Sequence, residues 1–311
     1  MKVDPQVAAH YAAVQAIGGT PKPLSIREIR ANADRIYNDA AHFPPVHAAE
    51  DLAIPCPWGE LPLRLYRPTA EQGLPVLIYY HGGGFCIHNI ASHDSLCRKL
   101  ALDCGCAVLS VGYRLAPEDP FPAAVEDGYT ALTWLRDNAP RLGLDGSRIA
   151  LAGDSAGAFL SASVSTLARD RNGPKIALQV LCYGGGEISD VQHFPSFWEF
   201  IHDNPVLSEA FMGSVGSSYQ EGADPENPYL NPIRAKDLAN LPRTYSLNAE
   251  GDPLRDSVEA YARALATAGN RVRQERVPGV YHGFLLLWQK FDISREVIGR
   301  IADEVKDTFG L

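Results

Sequence analysis

Ser155 is the residue of this sequence best suited to nucleophilic chemistry, because it lies between two glycines in the segment LAGDSAGAFL. The pattern Gly153-x-Ser155-x-Gly157 is typical of a strand that turns sharply into a helix, with serine at the bend. Glycine has no Cβ, so the chain can pass close to itself in such a turn. Taken alone, the motif is also compatible with an ordinary glycine-bounded turn between a strand and a helix.

A second motif, YYHGGGF, places three consecutive glycines directly after an apolar run. The glycines are compatible with a flexible loop or a phosphate-binding loop, but the lysine and the glycine spacing of a P-loop are absent. A third interpretation is an oxyanion hole, in which backbone N–H groups stabilise the charge that develops on a carbonyl oxygen. Because HGGG follows a strand and precedes G-x-S-x-G, the sequence favours the oxyanion hole.

Asp252 and His282 each follow a segment with strand character. Considered separately, Asp252 is compatible with an acidic residue at a helix N-terminus, where it suits the helix dipole, and His282 with a turn residue. The order along the chain is Ser155, Asp252 and His282, which is the order of the catalytic triad in α/β-hydrolases. In a triad the histidine takes the serine proton and the acid orients the histidine. The sequence therefore predicts a triad of these three residues.

Short apolar segments alternate with helical patterns over most of the chain after Leu74. The strand candidates are LPVLIYY, CAVLSVGY, SRIALAGD, KIALQVLCY, PRTYSLNAE and RVRQERVP. Continuous apolar strands that alternate with helices indicate a mostly parallel sheet buried between two layers of helices. The carboxyl ends of such strands are where α/β proteins bind their ligands. The predicted fold class is therefore α/β, with the candidate residues at this edge of the sheet.

The remaining segments predict a cap over that edge. Residues 1–45 carry helical patterns and are predicted to form an N-terminal helical cap segment, and residues 46–311 form the catalytic domain. Within that domain, residues from about 190 to 218 fit no strand–helix unit and are rich in aromatic residues. We interpret them as an insertion that contributes to the cap. A long surface connection is the alternative, although it would expose several aromatic side chains to water.

The motifs HGGGF, YRLAPEDPFPAAVEDG, GDSAGA, DPLRD and HGF together resemble the hormone-sensitive lipase family of α/β-hydrolases, in its bacterial esterase branch. The resemblance extends from about Glu50 to the C-terminus. It implies an α/β-hydrolase fold with a helical cap. It also implies that Ser155 is the nucleophile, that His282 is the base and acid, and that Asp252 is the partner of His282.

The resemblance further implies that the backbone N–H groups of Gly83, Gly84 and Ala156 form the oxyanion hole, and that the protein is a homodimer. Three features depart from the family pattern around these motifs. They are His88 where glycine is common, Gly251 where a bulky residue commonly precedes the acid, and Gly184–Gly186 where a Tyr-Pro segment is common. None of these positions belongs to the predicted triad.

These observations predict a serine carboxylesterase that hydrolyses short-chain acyl esters, with acyl groups of roughly two to six carbons that fill an enclosed pocket. Phe85, Phe159 and Trp198 are the candidate pocket residues. An amide or formamide hydrolase with the same machinery remains an alternative, because the leaving group separates the two activities. A non-catalytic ligand-binding protein is a further alternative, although such a protein would be expected to lose a member of the triad.

Composition argues against several other classes of protein. The formal net charge of −9 does not favour nucleic acid or an anionic membrane as a partner. The chain has neither an apolar run of membrane-spanning length nor a secretory signal, so we predict a cytoplasmic protein without membrane insertion. No histidine or cysteine set has zinc spacing, and we predict neither a metal nor another cofactor. The expected partner is a small-molecule ester, and the six cysteines are predicted to be free thiols.

Overall fold

The computed structural model describes residues 1–17, 25–37, 43–202 and 204–311, and these form an eight-stranded sheet flanked by helices. The strands are β1 (Ala48–Cys56), β2 (Gly59–Arg67), β3 (Leu74–Tyr80), β4 (Ala107–Val111), β5 (Leu144–Asp154), β6 (Leu178–Cys182), β7 (Arg243–Gly251) and β8 (Val272–Tyr281). Their order across the sheet is β1-β2-β4-β3-β5-β6-β7-β8. The pairs β1–β2 and β2–β4 are antiparallel, and all the other pairs are parallel. The predicted α/β-hydrolase fold with a mostly parallel sheet is confirmed.

Helices cover both faces of this sheet. Among the described residues the α-helices are α1 (Pro5–Ile17), α2 (Ile26–Tyr37), α3 (Asp94–Cys104), α4 (Ala123–Asn138), α5 (Ala156–Asp170), α6 (Pro195–Phe200), α7 (Glu209–Tyr219), α8 (Arg255–Thr267) and α9 (Asp292–Phe309). Short 3₁₀ helices span Ala91–His93, Val191–His193, Pro232–Arg234 and Phe284–Leu287.

Strand β3 is buried at every position, which explains its continuous apolar sequence. Val76 and Ile78 belong to one hydrophobic core, which also contains residues of α4 and α5. Leu77 and Tyr79 belong to a second core, which contains residues of α3 and α9. Successive side chains of a strand point to opposite faces, so a strand between two helical layers has to be apolar throughout.

Two elements near the N-terminal half were missing from the sequence prediction. Strand β1 pairs with β2 as an antiparallel hairpin at the edge of the sheet, and most of its residues are exposed or half-buried. An edge strand of this kind lacks the continuous apolar run that marks a buried strand. Helix α3 was also not predicted, although its buried side chains lie three and four residues apart as in other amphipathic helices.

The N-terminal helices contact the rest of the protein at defined points. In α2, the Arg30 guanidinium donates to the carbonyl oxygens of Cys86 at 2.5 Å and Ala116 at 2.6 Å, and pairs with Glu118 at 2.7 Å. In α1, Val7 is fully buried in the second core. The predicted cap segment of residues 1–45 includes positions 18–24 and 38–42, which lie outside the described residues. The division into cap and catalytic domain stays a prediction.

The predicted insertion contains helices α6 and α7, which lie between β6 and β7 along the chain. No helix in the described ranges combines the length and apolar character that crossing a bilayer requires. All six cysteines are free, and five of them are buried.

Candidate active site

Ser155 lies at the turn between β5 and α5 with φ 52° and ψ −121°. A positive φ is uncommon for a residue with a side chain and stores strain that the surrounding structure must hold. The backbone N–H of Ser155 donates to Cys182 O at 2.8 Å. The two flanking glycines are required by space, since a Cβ on Gly153 would lie 2.3 Å from the carbonyl group of Gly157. The turn therefore presents the Ser155 side chain at the carboxyl end of β5.

The structure brings the three predicted triad residues together. His282 Nε2 is 2.8 Å from Ser155 Oγ, and His282 Nδ1 is 2.7 Å from Asp252 Oδ2. Asp252 is fully buried and His282 is 4 % exposed. The ionised carboxylate is an acceptor, so it holds the proton of the imidazole on Nδ1 and leaves Nε2 to accept the Ser155 hydroxyl proton. This is the arrangement that a serine nucleophile and its base require.

The order of strands explains how residues so far apart in sequence meet. Ser155 follows β5, Asp252 follows β7 and His282 follows β8, and these strands lie on one side of the sheet with β6 between the first two. The register pairs Gly251 with Tyr281, which places Asp252 and His282 at the same height. The Leu254 N–H donates to Asp252 Oδ1 at 2.9 Å. The other carboxylate oxygen, Oδ2, is thus directed at His282.

The three glycines after β3 form a turn beside Ser155. We call this turn the oxyanion loop (residues 81–85), after the oxyanion hole that the sequence predicts. Tyr80 pairs with Gly153 in the sheet, so this loop and the Ser155 turn leave the sheet side by side. Gly83 has φ 115°, and a Cβ there would lie 2.2 Å from Ile87 O. Gly84 has φ 59°. Only glycine adopts such conformations readily, and they allow the loop to curl in front of β3.

Ala156 is the third predicted contributor to the oxyanion hole. It is the first residue of α5, and the first N–H groups of a helix have no partner within the helix. The N-terminus of a helix also favours negative charge. The three predicted N–H groups, on Gly83, Gly84 and Ala156, thus belong to two adjacent turns at the Ser155 side chain.

Aromatic side chains support the oxyanion loop from both sides. The His81 ring stacks on Tyr113 with centroids 4.2 Å apart, and the Tyr113 hydroxyl donates to His81 O at 2.6 Å. Phe85 has φ 60° and its ring stacks on Tyr219 of α7 at 3.7 Å. Helix α7 of the insertion therefore contacts the loop directly.

An apolar cavity of about 80 Å³ opens beside Ser155. Two of the three candidate pocket residues, Phe85 and Phe159, are among the residues that line it. Helix α7 contributes several further lining residues that the sequence prediction missed, namely Phe211, Met212, Val215, Gly216 and Tyr219. In the sequence, these residues could be recognised only by the apolar and aromatic character of the insertion. That character does not specify which side chains point into the cavity.

Trp198 is not among the residues that line this cavity, in contrast to the prediction. Its side chain is 50 % exposed, and its indole N–H donates to Gln192 O at 2.9 Å. The neighbouring Phe197 is 2 % exposed and belongs to the first core. Successive residues of a helix point in different directions, so the burial of Phe197 turns Trp198 outward.

The departures from the family pattern have structural explanations. His88 packs against the oxyanion loop, and its ring lies 2.9 Å from the position that a Cβ on Gly83 would occupy. Gly184 passes the Ser155 turn so closely that a Cβ would lie 2.2 Å from Ser155 O. At Gly251, a Cβ would lie 2.3 Å from Cε at the flexible end of the Met1 side chain. Across the described ranges, no group of three or more His, Cys, Asp or Glu residues has metal-binding geometry.

Comparison with known proteins places this chain in a family. A family described as having the alpha/beta hydrolase fold matches residues 77–286. The chain is 39% identical over 263 residues to LipN, a carboxylic ester hydrolase of Mycobacterium tuberculosis, covering 82% of this chain and 69% of that protein. It is 34% identical over 322 residues to an ethyl acetate hydrolase of Pseudomonas putida, covering 98% and 99%.

A solved structure extends the similarity to three dimensions. The hyperthermophilic esterase of the archaeon Pyrobaculum calidifontis superposes with a TM-score of 0.93 at 37% identity, covering 99% of both chains. The protein described here is therefore an α/β-hydrolase. It belongs to the hormone-sensitive lipase family, which confirms the resemblance that its motifs predicted.

Proposed function

We propose that this protein, a carboxylic ester hydrolase of the family, cleaves short-chain acyl esters through a Ser155–His282–Asp252 triad and an acyl-enzyme intermediate. The observation that carries the proposal is the continuous pair of contacts from Ser155 Oγ to His282 at 2.8 Å and from His282 to Asp252 at 2.7 Å. A serine hydroxyl is a weak nucleophile at neutral pH, and an adjacent, oriented base is what activates it.

The first half-reaction follows from these contacts. His282 Nε2 takes the Ser155 hydroxyl proton as Oγ attacks the ester carbonyl carbon, and the carbonyl oxygen becomes an oxyanion. His282 then gives the same proton to the departing alkoxide oxygen, the C–O bond breaks, and the alcohol leaves. In the second half-reaction, water loses a proton to His282 and attacks the acyl-enzyme. That proton returns to Ser155 Oγ as the carboxylic acid departs.

The oxyanion hole would stabilise both tetrahedral states. Gly83, Gly84 and Ala156 supply backbone N–H groups from the two turns that flank Ser155. Loss of one such donor in other hydrolases costs about 3 kcal/mol of transition-state stabilisation. Asp252 would stabilise the imidazolium that forms transiently at His282. No step of this mechanism needs a metal or an organic cofactor.

The cavity supports a preference for short acyl groups. Its volume of about 80 Å³ is smaller than the roughly 150 Å³ that accommodates a benzene molecule in an engineered protein cavity. The lining is almost entirely apolar, with Phe159 and Val215 among its members. A relative is named for the hydrolysis of ethyl acetate, an ester with a two-carbon acyl group. The homodimer and the cytoplasmic location stay predictions.

A covalent label combined with a serine variant tests the proposal. A p-nitrophenyl phosphonate should release one equivalent of nitrophenol and modify Ser155, as mass spectrometry of the digested protein would show. Ser155→Ala should bind no label and lose about 10⁶ in kcat toward p-nitrophenyl butyrate. Ser163→Ala, on the same helix, is the matched control and should keep wild-type kcat, because the Ser163 hydroxyl donates to Phe159 O and is not part of the proposed triad. Label on another residue, or substantial turnover by Ser155→Ala, would refute the proposal.

Paired substrates separate the esterase from an amidase. We expect p-nitrophenyl butyrate to be hydrolysed far faster, relative to its uncatalysed rate, than p-nitrobutyranilide, which carries the same acyl group. Comparable rate enhancements on the two substrates would favour the amide hydrolase instead.

A further inference from the structure

A histidine and a carboxylate that the triad does not use lie directly behind the oxyanion loop. His93 Nε2 is 3.1 Å from Asp154 Oδ1, and the two side chains are 0 % and 2 % exposed. Asp154 is the residue before the nucleophile, whereas His93 comes from the 3₁₀ turn that precedes α3. Burying a polar pair of this kind costs free energy unless both side chains are fully hydrogen-bonded. The hydrogen-bond partners therefore indicate where the protons of the pair lie.

The hydrogen bonds around His93 are accounted for by a proton on each of its ring nitrogens. Ser92 Oγ lies 2.9 Å from His93 Nδ1, but it donates its only proton to Asn89 O at 2.8 Å. Toward His93 the hydroxyl can therefore only accept, and Nδ1 must donate. On the other side, the Asp154 carboxylate is an acceptor, so Nε2 must donate as well. With both protons present, His93 and Asp154 are a buried pair of opposite charges.

The surrounding groups are consistent with this assignment. Burial opposes ionisation of Asp154, but His93 and the Tyr79 hydroxyl, which donates to Oδ1 at 2.7 Å, outweigh it and lower the Asp154 pKa to about 2. Burial, and to a smaller extent the charge of His93, lower the pKa of both His81 and His88 to about 3. His81 and His88 are therefore neutral at neutral pH, and neither adds a charge beside Asp154.

The pair is also attached to the backbone of the oxyanion loop. The Gly82 N–H donates to Asp154 Oδ1 at 3.0 Å, the same oxygen that faces His93. This N–H is 3.4 Å from His93 Nε2, so the shorter contact is to the carboxylate. Asp154 Oδ2 lies 2.4 Å from the position of a Cβ on Gly82, so the loop is pressed against the carboxylate. The Asp154 side chain thereby connects the loop that carries Gly83 and Gly84 to the backbone next to Ser155.

We propose that the His93–Asp154 ion pair positions the oxyanion hole relative to the nucleophile. Asp154 fixes the loop backbone through Gly82, and His93 fixes the carboxylate by its charge and by a hydrogen bond to Oδ1. Both are positioning residues, since neither contacts the reacting atoms. Such a device acts on the transition state, because the oxyanion exists only after attack, and it leaves the binding of the ester in the cavity unchanged. The proposal rests on the proposed serine esterase chemistry.

The charge state is tested by counting ring protons. In protein labelled with [¹⁵N]histidine, His93 should show two ring N–H protons in slow exchange at neutral pH, because the side chain is completely buried. The signals are assigned by their loss in His93→Gln, or by their shift in Asp154→Asn if the first variant does not fold. A single ring proton on His93 would overturn the ion pair. This measurement is made without substrate, so it does not depend on the proposed function.

The positioning role is tested by separating kcat from KM. His93→Gln and Asp154→Asn should each lower kcat for p-nitrophenyl butyrate about 10- to 100-fold, the range for displaced or missing oxyanion donors. KM should change less than about threefold. Phosphonate labelling of Ser155 should slow in parallel, because the phosphoryl oxygen occupies the same hole. The double variant should be no slower than the slower single variant, since the two residues act as a unit.

Leu100→Ala provides the matched control for lost stability. Leu100 is a buried core residue on α3 that lies outside the site, so this variant should lower Tm while kcat stays at the wild-type value. Folded His93→Gln or Asp154→Asn protein with wild-type kcat would overturn the proposal. The proposal would also be overturned if Leu100→Ala, at the same loss of Tm, lost as much kcat as the two site variants. Neither result would affect the assignment of Ser155, which the covalent label decides separately.

Discussion

Gly157 lies directly against the carbonyl oxygen of Tyr80, so close that a Cβ on the glycine would be 1.9 Å from that oxygen. Tyr80 ends β3 and Gly157 lies in the first turn of α5. The second glycine of the G-x-S-x-G motif thus allows α5 to approach the strand that carries the oxyanion loop. The requirement for glycine at position 157 is steric, because the Cβ and the Tyr80 carbonyl oxygen would both be fixed by the backbone.

Gly157→Ala should therefore destabilise the protein and impair catalysis together. We expect the free energy of unfolding to fall by about 3 kcal/mol or more, at the upper end for an overpacked site, and kcat to fall because Ser155 is displaced. Denaturant unfolding and steady-state kinetics measure the two effects. Gly299→Ala is the control, because a Cβ there meets no atom within 4 Å. Because Gly299 lies in the interior of α9, Gly299→Ala should raise the free energy of unfolding by about 1 kcal/mol. Equal stability of the two variants would contradict the steric argument.

Asp252→Asn should lower kcat about 10⁴-fold with little change in KM. An amide placed toward His282 can donate to Nδ1, which would move the ring proton to Nε2, where it blocks transfer from Ser155. Asp256→Asn is a matched control, because Asp256 accepts from the Ser196 N–H and from Arg255 without touching His282. Kinetics with p-nitrophenyl butyrate compare the two. A modest loss in Asp252→Asn would mean that the acid does not control the tautomer.

The acyl-chain preference should follow the cavity. In a p-nitrophenyl ester series from acetate to palmitate, kcat/KM should peak at roughly two to six carbons, because each buried methylene gains about 0.8 kcal/mol until the cavity is full. It should then fall tenfold or more within a few carbons, because further atoms displace packed side chains. Equal or higher kcat/KM on the longest esters would refute the short-chain assignment.

Phe211→Ala should move that optimum to longer acyl chains, because Phe211 lines the cavity. Trp198→Ala removes a comparable aromatic side chain from the same insertion, but outside the cavity. The wild-type chain-length profile should be retained in this second variant. The same ester series measures both profiles, and an unchanged optimum in Phe211→Ala would mean that α7 does not limit the acyl group.

Stability should fall as the pH is lowered from about 6.5 toward 4. Burial, followed by the charge of His93, lowers the His81 pKa to about 3 in the folded protein, whereas an unfolded histidine titrates near 6.5. Between these values the unfolded chain binds more protons, so the free energy of unfolding drops by up to about 1.4 kcal/mol per pH unit for this residue. Denaturant unfolding of His81→Gln should show a shallower decline between pH 6 and 4. Parallel declines in variant and wild type would exclude His81 as a cause.

The sequence by itself determined the features that depend on local backbone geometry. A sharp turn with φ 52° at Ser155 requires small neighbours, and the oxyanion loop requires Gly83 and Gly84. These demands act within a few residues, so they appear as short motifs. The periodicity of the strands and helices is local as well, and it was sufficient to predict the fold class. Sheet order then places Asp252 and His282, since parallel strands end at a common edge.

The tertiary structure alone decided the features that depend on packing between distant segments. Trp198 faces solvent because Phe197 is buried, and the cavity wall comes from α7, whose Tyr219 stacks on Phe85. Nothing in the local pattern of an aromatic-rich insertion specifies which side chains meet a loop more than a hundred residues away. The same is true of His93, whose sequence context resembles a surface turn. Its contact with Asp154 arises only when the sheet brings β3 and β5 together, because the two residues are 61 positions apart in the chain.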